Sequence, residues 1–170
     1  MTPEELKALQ TPLKEKYRDQ PAQAMITLRA YGKVEEGISC KVQTGKALVE
    51  AGLHPATGGD GSLACSGDML LEALVACAGV TLRAVATAIG VEIKDGIVRA
   101  EGDLDFRGTL GVSKEVPVGF RAIRLWFDLN TNATEDQLQT LQKLTERYCV
   151  VYQTIACGVA METSLTSRVS

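Results

Sequence analysis

The chain has 170 residues, 45% of them hydrophobic and 23% charged, with a formal net charge of −3. That length suffices for one domain with a sizeable core, and the composition is that of a folded globular protein rather than a disordered one. Acidic and basic residues are interspersed, so neither a basic patch for a phosphate backbone nor a polybasic anchor is present, and nucleic acid and membrane are excluded as expected partners.

The chain opens with a helix start. Thr2 is placed to cap, Pro3 to occupy the first helical position and Glu5 to complete a capping box. Leu6, Leu9, Leu13 and Tyr17 give the segment one apolar stripe, Pro12 kinks or ends it, and Pro21 closes it. Residues 1–23 therefore read as a helical appendage packed on the domain or on a dimer mate. The first twenty residues are charged and contain no apolar h-region, so the expected compartment is the reducing cytosol. From Ala24 the period changes to two. Met25 to Val34, Ile38 to Val42 and Lys46 to Ala51 form a small antiparallel meander punctuated by Gly32, Gly37 and Gly45, with Cys40 inward beside Ile38 and Val42. The stretch Gly52 to Ser62 is a glycine-rich loop without the Gly-Lys-Ser/Thr ending of a phosphate cradle.

Next comes SGDMLLEALVACAGVTLRAVATAIG, Ser66 to Gly90, in which nearly every residue from Met69 to Ile89 is apolar and small or aliphatic. A helix apolar on all faces is a buried central helix. Glu72 and Arg83 inside the run would each cost about 2.5–3.5 kcal/mol at a bilayer centre, which argues against a membrane span. Beyond it, Val91 to Thr109 reads as two strands around Lys94-Asp95-Gly96, and Phe120 to Leu129 as one strand. In the latter Ile123, Leu125, Phe127 and Leu129 face one way and Arg124, Trp126 and Asp128 the other. The outward tryptophan suits a surface that a partner subunit covers. Thr134 and Gln137 form a capping box for a helix with Leu138, Leu141, Leu144 and Tyr148 at helical spacing. That helix delivers Cys149. An apolar turn, Val150 to Cys157, leads through Gly158 into a final strand near Ala160 to Ser167. Runs of strands broken by a few helices, without βαβ alternation, define an α+β domain of antiparallel sheets on helices.

Chemistry in such a chain falls to cysteine. His54 is the sole histidine, so a histidine metal cage or a histidine-based triad lacks parts, and no metal is expected. In a reducing compartment five cysteines are free, catalytic or metal-binding rather than a disulfide framework. Local physics favours Cys65, at the start of the central helix where the dipole and free amides stabilise a thiolate. Cys77 lies mid-helix, where burial raises a thiol unless a cation stands beside it. Cys65 and Cys77 would stand about 18 Å apart in one helix, and Cys149 and Cys157 about 12 Å, both too far to be bridged. A functional pair must join the two halves of the chain.

The run DMLLEALVACAGVTLRAVA resembles the ELLLAALAACxxMTLR segment of the osmotically inducible protein C and organic hydroperoxide resistance (OsmC/Ohr) family, and YCVVYQTIACGVAMET resembles its CPVxxTL segment. The resemblance runs from about Met25 to the end, giving an OsmC-like domain of 24–170. It implies an intertwined homodimer with a buried central helix and the active site at the subunit interface. It further implies a thiol-dependent peroxidase for organic hydroperoxides: Cys77 as peroxidatic nucleophile, Cys149 as resolving partner, and no cofactor beyond an external dithiol reductant. In the family an Arg held by a Glu lies against the peroxidatic sulfur. Here Gly67 occupies the Glu position, so Asp68, with Glu72 as a second choice, is the expected acid, and Arg29, with Arg83 and Arg147 behind it, the expected cation. Val150 stands where the family usually has Pro. The competing expectations are an OsmC-fold module that binds or sequesters a hydrophobic small molecule in a cleft beside Cys77, and a structural role with no chemistry.

Overall fold

The computed structural model describes residues 48–111 and 113–167, together with residues 2–5, 7–8, 10–11, 19, 31–34 and 39–43 of the N-terminal part. The opening capping box is present: the Thr2 amide donates to Glu5 Oε2 at 2.8 Å and the Glu5 amide to Thr2 Oγ1 at 3.2 Å. The stripe Leu6, Leu9, Leu13 and Tyr17, the prolines Pro12 and Pro21, and Arg29 lie outside the described residues.

The meander consists of β1 (Tyr31–Val34), β2 (Ser39–Gln43) and β3 (Leu48–Gly52), antiparallel in sequence, with Tyr31 opposite Gln43 and Ser39 opposite Gly52. Cys40 pairs with Val34 and Ala51; its side chain lies outside what is described. A two-residue β4 (Ala64–Cys65) then joins β3 in parallel, so the sheet is mixed rather than purely antiparallel. The loop between them is held by its own groups. His54 Nδ1 accepts from the Ala56 amide at 3.0 Å to cap a 3-10 turn at Pro55–Thr57, and its ring stacks on Phe106 with centroids 5.0 Å apart. A Cβ on Gly59 would stand 1.8 Å from the Leu53 carbonyl oxygen, so only glycine fits.

Helix α1 (Ser66–Ile89) ends at Gly90, whose left-handed backbone (φ 74°) lets its amide reach the Ala86 and Thr87 carbonyls. By length and composition α1 could cross a membrane. In the fold it is a core element, lying on β5 (Ile93–Asp103) and flanked by α3 (Glu135–Tyr148) and α4 (Val150–Cys157). It is not buried on all faces, however. Leu74, Ala78, Leu82, Val85 and Ala86 form one buried stripe, while Ala73, Ala76 and Val80 face water, Val80 with 73% of its surface exposed. Among the described residues, layers pack against one side of the helix only.

Val91 to Thr109 is a single strand and a short helix, not two strands. The step at Lys94 is a register shift within β5, and α2 (Phe106–Thr109) follows, capped by Asp105. β5 pairs with β6 (Ala122–Thr131) from Ile93–Thr131 to Asp103–Ala122. The two-residue alternation of β6 holds: Ile123, Leu125, Phe127 and Leu129 are half-buried, and Arg124, Trp126 and Asp128 are exposed. Arg99 on β5 lies over the Trp126 ring at 6.0 Å, so a cation of the same sheet covers part of the tryptophan.

In α3 the Thr134–Gln137 capping box forms, and Leu141 is buried with Thr145, whose hydroxyl donates to the Leu141 carbonyl at 2.7 Å. Tyr148 is 59% exposed and does not continue the stripe, because the chain breaks helix at Cys149. Residues 158–167 form no strand; they are exposed, with Met161 and Leu165 at 83% and 98%. A strand there needs an edge to pair with, and among the described residues none reaches it.

Candidate active site

Two elements far apart in sequence meet at the middle of α1. Leu74 and Ala78 on α1 and Cys149, 0% exposed, form one buried cluster, with Cys77 packed against it. Val98 and Ala100 of β5, Ile123, Leu125 and Phe127 of β6, and Val151, Tyr152 and Ile155 of α4 complete its wall. Cys77 is half-buried and packs against the cluster that holds Cys149. Cys65, Cys77, Cys149 and Cys157 are all free thiols.

The backbone break at Cys149 sets the geometry. Cys149 has an extended backbone (φ −73°, ψ 109°) and is both the last residue of α3's frame and the N-cap of α4. Its Sγ accepts from the Tyr152 amide at 3.5 Å, as a capping side chain does. The Val150 and Val151 backbone, in the same first turn of α4, favours the negative form of Cys77.

The two thiols are thereby driven apart. Burial by itself pushes Cys77 up, but hydrogen bonds from the Val151 backbone, the Cys149 thiol, the Val150 backbone and the Thr81 hydroxyl outweigh it and hold Cys77 below the ordinary thiol value. Burial pushes Cys149 up, the Tyr152 amide opposes this, and the adjacent Cys77 pushes it up further. Cys77 is thus the more acidic of the two thiols.

Of the expected charged partners, Arg29 lies outside the described residues and the others stand elsewhere. Asp68 is exposed in the first turn of α1, about 13 Å along the axis from Cys77 and half a turn round. It lines a separate groove with Glu72, Leu71 and Val75. Arg83 donates to the Ile93 carbonyl at 2.5 Å, and Arg147 lies over the Tyr148 ring at 5.8 Å. Cys65 is the N-cap of α1 by backbone position, but its side chain makes no capping hydrogen bond. The helix-terminus argument that favoured Cys65 thus applies to α4 and its cysteines instead. Sequence reasoning missed Thr81 and the Val150 and Val151 amides. Thr81 was detectable as the residue four positions after Cys77 on the same helix face.

A cleft of about 680 Å³ opens beside the cluster. Leu70, Leu74, Phe120, Ile123, Tyr152 and Ile155 line its apolar part, and Arg121, Gln142 and Glu146 stand at its polar edges. Asp105 ion-pairs with Arg107 at 2.6 Å and with Arg121 at 3.8 Å. Among the described residues no group of histidine, cysteine and carboxylate side chains is arranged to hold a metal.

The family model described as OsmC-like protein matches residues 59–164, a stretch that contains α1, both thiols and the cleft. The chain belongs to the OsmC-like family. Solved structures with the same fold include an OsmC-like protein from Mycoplasma pneumoniae (TM-score 0.66, 16% identity, 79% of this chain and 89% of that one). Another is an OsmC-like protein of unknown function from Vibrio cholerae (TM-score 0.62, 11% identity, 76% and 94%). A third is an organic hydroperoxide resistance protein from Legionella pneumophila (TM-score 0.61, 16% identity, 77% and 90%). These likenesses establish the α+β OsmC fold. A comparison with curated proteins finds no match.

Proposed function

We propose that the chain is a thiol-dependent peroxidase that reduces organic hydroperoxides. The observation that carries the reading is Cys77 packed against buried Cys149, one thiol lowered and the other raised, beside an apolar cleft. The Cys77 thiolate attacks the terminal peroxide oxygen. The S–O bond forms as the O–O bond breaks, the alkoxide leaves and takes up a proton as the alcohol, and sulfur is oxidised by two electrons to a sulfenic acid. Cys149 then attacks that sulfur; an S–S bond forms and water leaves. An external dithiol, oxidised to its own disulfide, restores both thiols. The apolar wall favours an alkyl chain over hydrogen peroxide, which has nothing to bury there.

The reading includes a cytosolic homodimer, for which the water-facing Ala73, Ala76 and Val80 of α1 and the apolar residues of 158–167 are the support. The same cleft supports a second reading, a module that holds a hydrophobic small molecule without turnover. Mixing the reduced protein with cumene hydroperoxide and searching by mass spectrometry for a Cys77–Cys149 disulfide separates the two. The peroxidase gives the disulfide and cumyl alcohol in equal amounts, and Cys77→Ser gives neither. Binding without either product leaves the second reading.

A further inference from the structure

The cleft and the thiol cluster share a wall. Leu74, Ile123, Leu125, Phe127, Tyr152 and Ile155 line the one and belong to the other. An alkyl chain held in the cleft reaches Cys77 past these six side chains, so the oxygen that carries the chain comes to rest among them. Five of the six are hydrocarbon. Tyr152 alone has a polar atom to offer there.

Tyr152 is anchored at its root and free at its tip. Its amide donates to Cys149 Sγ at 3.5 Å, which fixes the start of the side chain beside the buried sulfur. The residue packs in the cluster and is half-buried. Its hydroxyl makes no hydrogen bond among the described residues, where no buried polar side-chain atom goes unpaired, so the phenol oxygen lies open to the cleft that Tyr152 lines. The other polar groups of the lining are engaged: Gln142 Nε2 donates to Glu146 Oε1 at 2.9 Å, and Arg121 stands 3.8 Å from Asp105. Burial pushes the phenol up, and Glu146 and Cys157 add to this, so the hydroxyl keeps its proton.

A donor at this place answers a need of the reaction. As the Cys77 thiolate bonds to the terminal oxygen, the electron pair of the breaking O–O bond collects on the oxygen next to carbon. An alkoxide released among hydrocarbon side chains lacks the solvation that water would give it. We infer that Tyr152 is a catalytic residue, donating its phenolic hydrogen to the leaving oxygen of the hydroperoxide. The proton passes to that oxygen as the S–O bond forms, the alcohol departs, and the phenolate regains a proton from water at the cleft opening. A phenolate is a far weaker base than an alkoxide, so the transfer runs downhill. The inference rests on the peroxidase reading and adds the group that assists the departing oxygen.

The test sets Tyr152→Phe beside the wild type. Phenylalanine keeps the ring, the packing and the amide on Cys149, and removes only the hydroxyl. Two oxidants are compared at one pH: cumene hydroperoxide, which must release an alkoxide, and peracetic acid, whose leaving carboxylate needs no proton. Oxidation of Tyr152→Phe is expected to be about a hundredfold slower than that of the wild type with cumene hydroperoxide, and unchanged with peracetic acid. Alkylation of Cys77 by iodoacetamide, followed on the Cys77 peptide by mass spectrometry, is expected to be the same in both proteins, since the hydroxyl acts on the oxidant and not on the sulfur. An undiminished rate with cumene hydroperoxide in the variant, or an equal loss with peracetic acid or iodoacetamide, would overturn the role of Tyr152 and leave the peroxidase standing. A wild type inert to cumene hydroperoxide yet alkylated at Cys77 would overturn the peroxidase, and the role of Tyr152 with it.

Discussion

Cys77 on α1 and Cys149 at the junction of α3 and α4 meet at one helix terminus: the Tyr152 amide donates to Cys149 at 3.5 Å, and the Val150 and Val151 backbone lowers Cys77. The pair is asymmetric because Cys149 is the cap and Cys77 the guest. Capping fixes Cys149 as a buried thiol, and the remaining donors stabilise negative charge on Cys77.

Removing the second sulfur while keeping the cap should stop the cycle halfway. In Cys149→Ser the serine hydroxyl caps α4 at least as well as the thiol, so the fold persists. Sulfenic acid on Cys77 is then expected to accumulate and to be trapped by dimedone, with a single turnover per chain. Cys149→Ala loses the cap as well, and its thermal unfolding should show a loss of about 0.5–2 kcal/mol relative to serine.

The first step should accelerate with pH and then level off. The thiolate is the nucleophile and Cys77 is held below the ordinary thiol value, so the rate rises as Cys77 deprotonates and flattens while Cys149 is still protonated. Stopped-flow measurements with cumene hydroperoxide should give a midpoint below 9.0, the ordinary thiol value. A rate still climbing in proportion to hydroxide above that value would mean that the helix terminus does not stabilise the charge.

The cleft should discriminate by alkyl bulk. Ile155 lines it and belongs to the cluster around the thiols. Ile155→Asn is expected to lower the rate ratio of cumene hydroperoxide to hydrogen peroxide by roughly tenfold, since burying an aliphatic side chain against a ligand is worth about 1.5–3 kcal/mol at full burial. Equal losses for both peroxides would instead indicate a damaged thiol pair.

Leu141 is 1% exposed in the second buried cluster, with Leu82 and Val85. Leu141→Ala should destabilise the protein by about 2–5 kcal/mol in urea unfolding. Cys77 alkylation of the folded variant should be unaffected.

Asp105, beside Arg107 and Arg121, is held at about 2 rather than 3.8. A carboxyl lowered in the folded state contributes stability above its unfolded value, and that contribution disappears as pH falls. The difference in melting temperature between wild type and Asp105→Asn should therefore be present at pH 5 and vanish by about pH 2. Because the group is at the surface, salt should reduce the difference.

The elements with one dominant signal were legible in the sequence. The apolar run of α1, the period-two alternation of β6 and the Thr134–Gln137 box of α3 each appear with little change. Lys94-Asp95-Gly96 imitated a turn because a register shift in a strand uses the same residues. Residues 158–167 have strand alternation, but pairing is a property of a second edge, which periodicity cannot report. At the site, the approach of Cys77 to Cys149 was legible through motif resemblance, whereas the surroundings of the sulfurs were not: backbone amides carry no side-chain signature, and Val150 and Val151 showed only as part of an apolar turn. Asp68 was expected as the carboxylate next to Gly67, the family's Glu position, and helix geometry turns it away.

The sulfurs come from residues 77 and 149, so joining them closes a ring through most of the fold's second half. Such a tie removes loop entropy from the unfolded chain, by about 4 kcal/mol for a span of this length. The spent, disulfide form would then be the sturdier one, and limited proteolysis should digest the reduced protein first. A cell flooded with peroxide would thus hold its exhausted copies longest, in reserve until a dithiol returned.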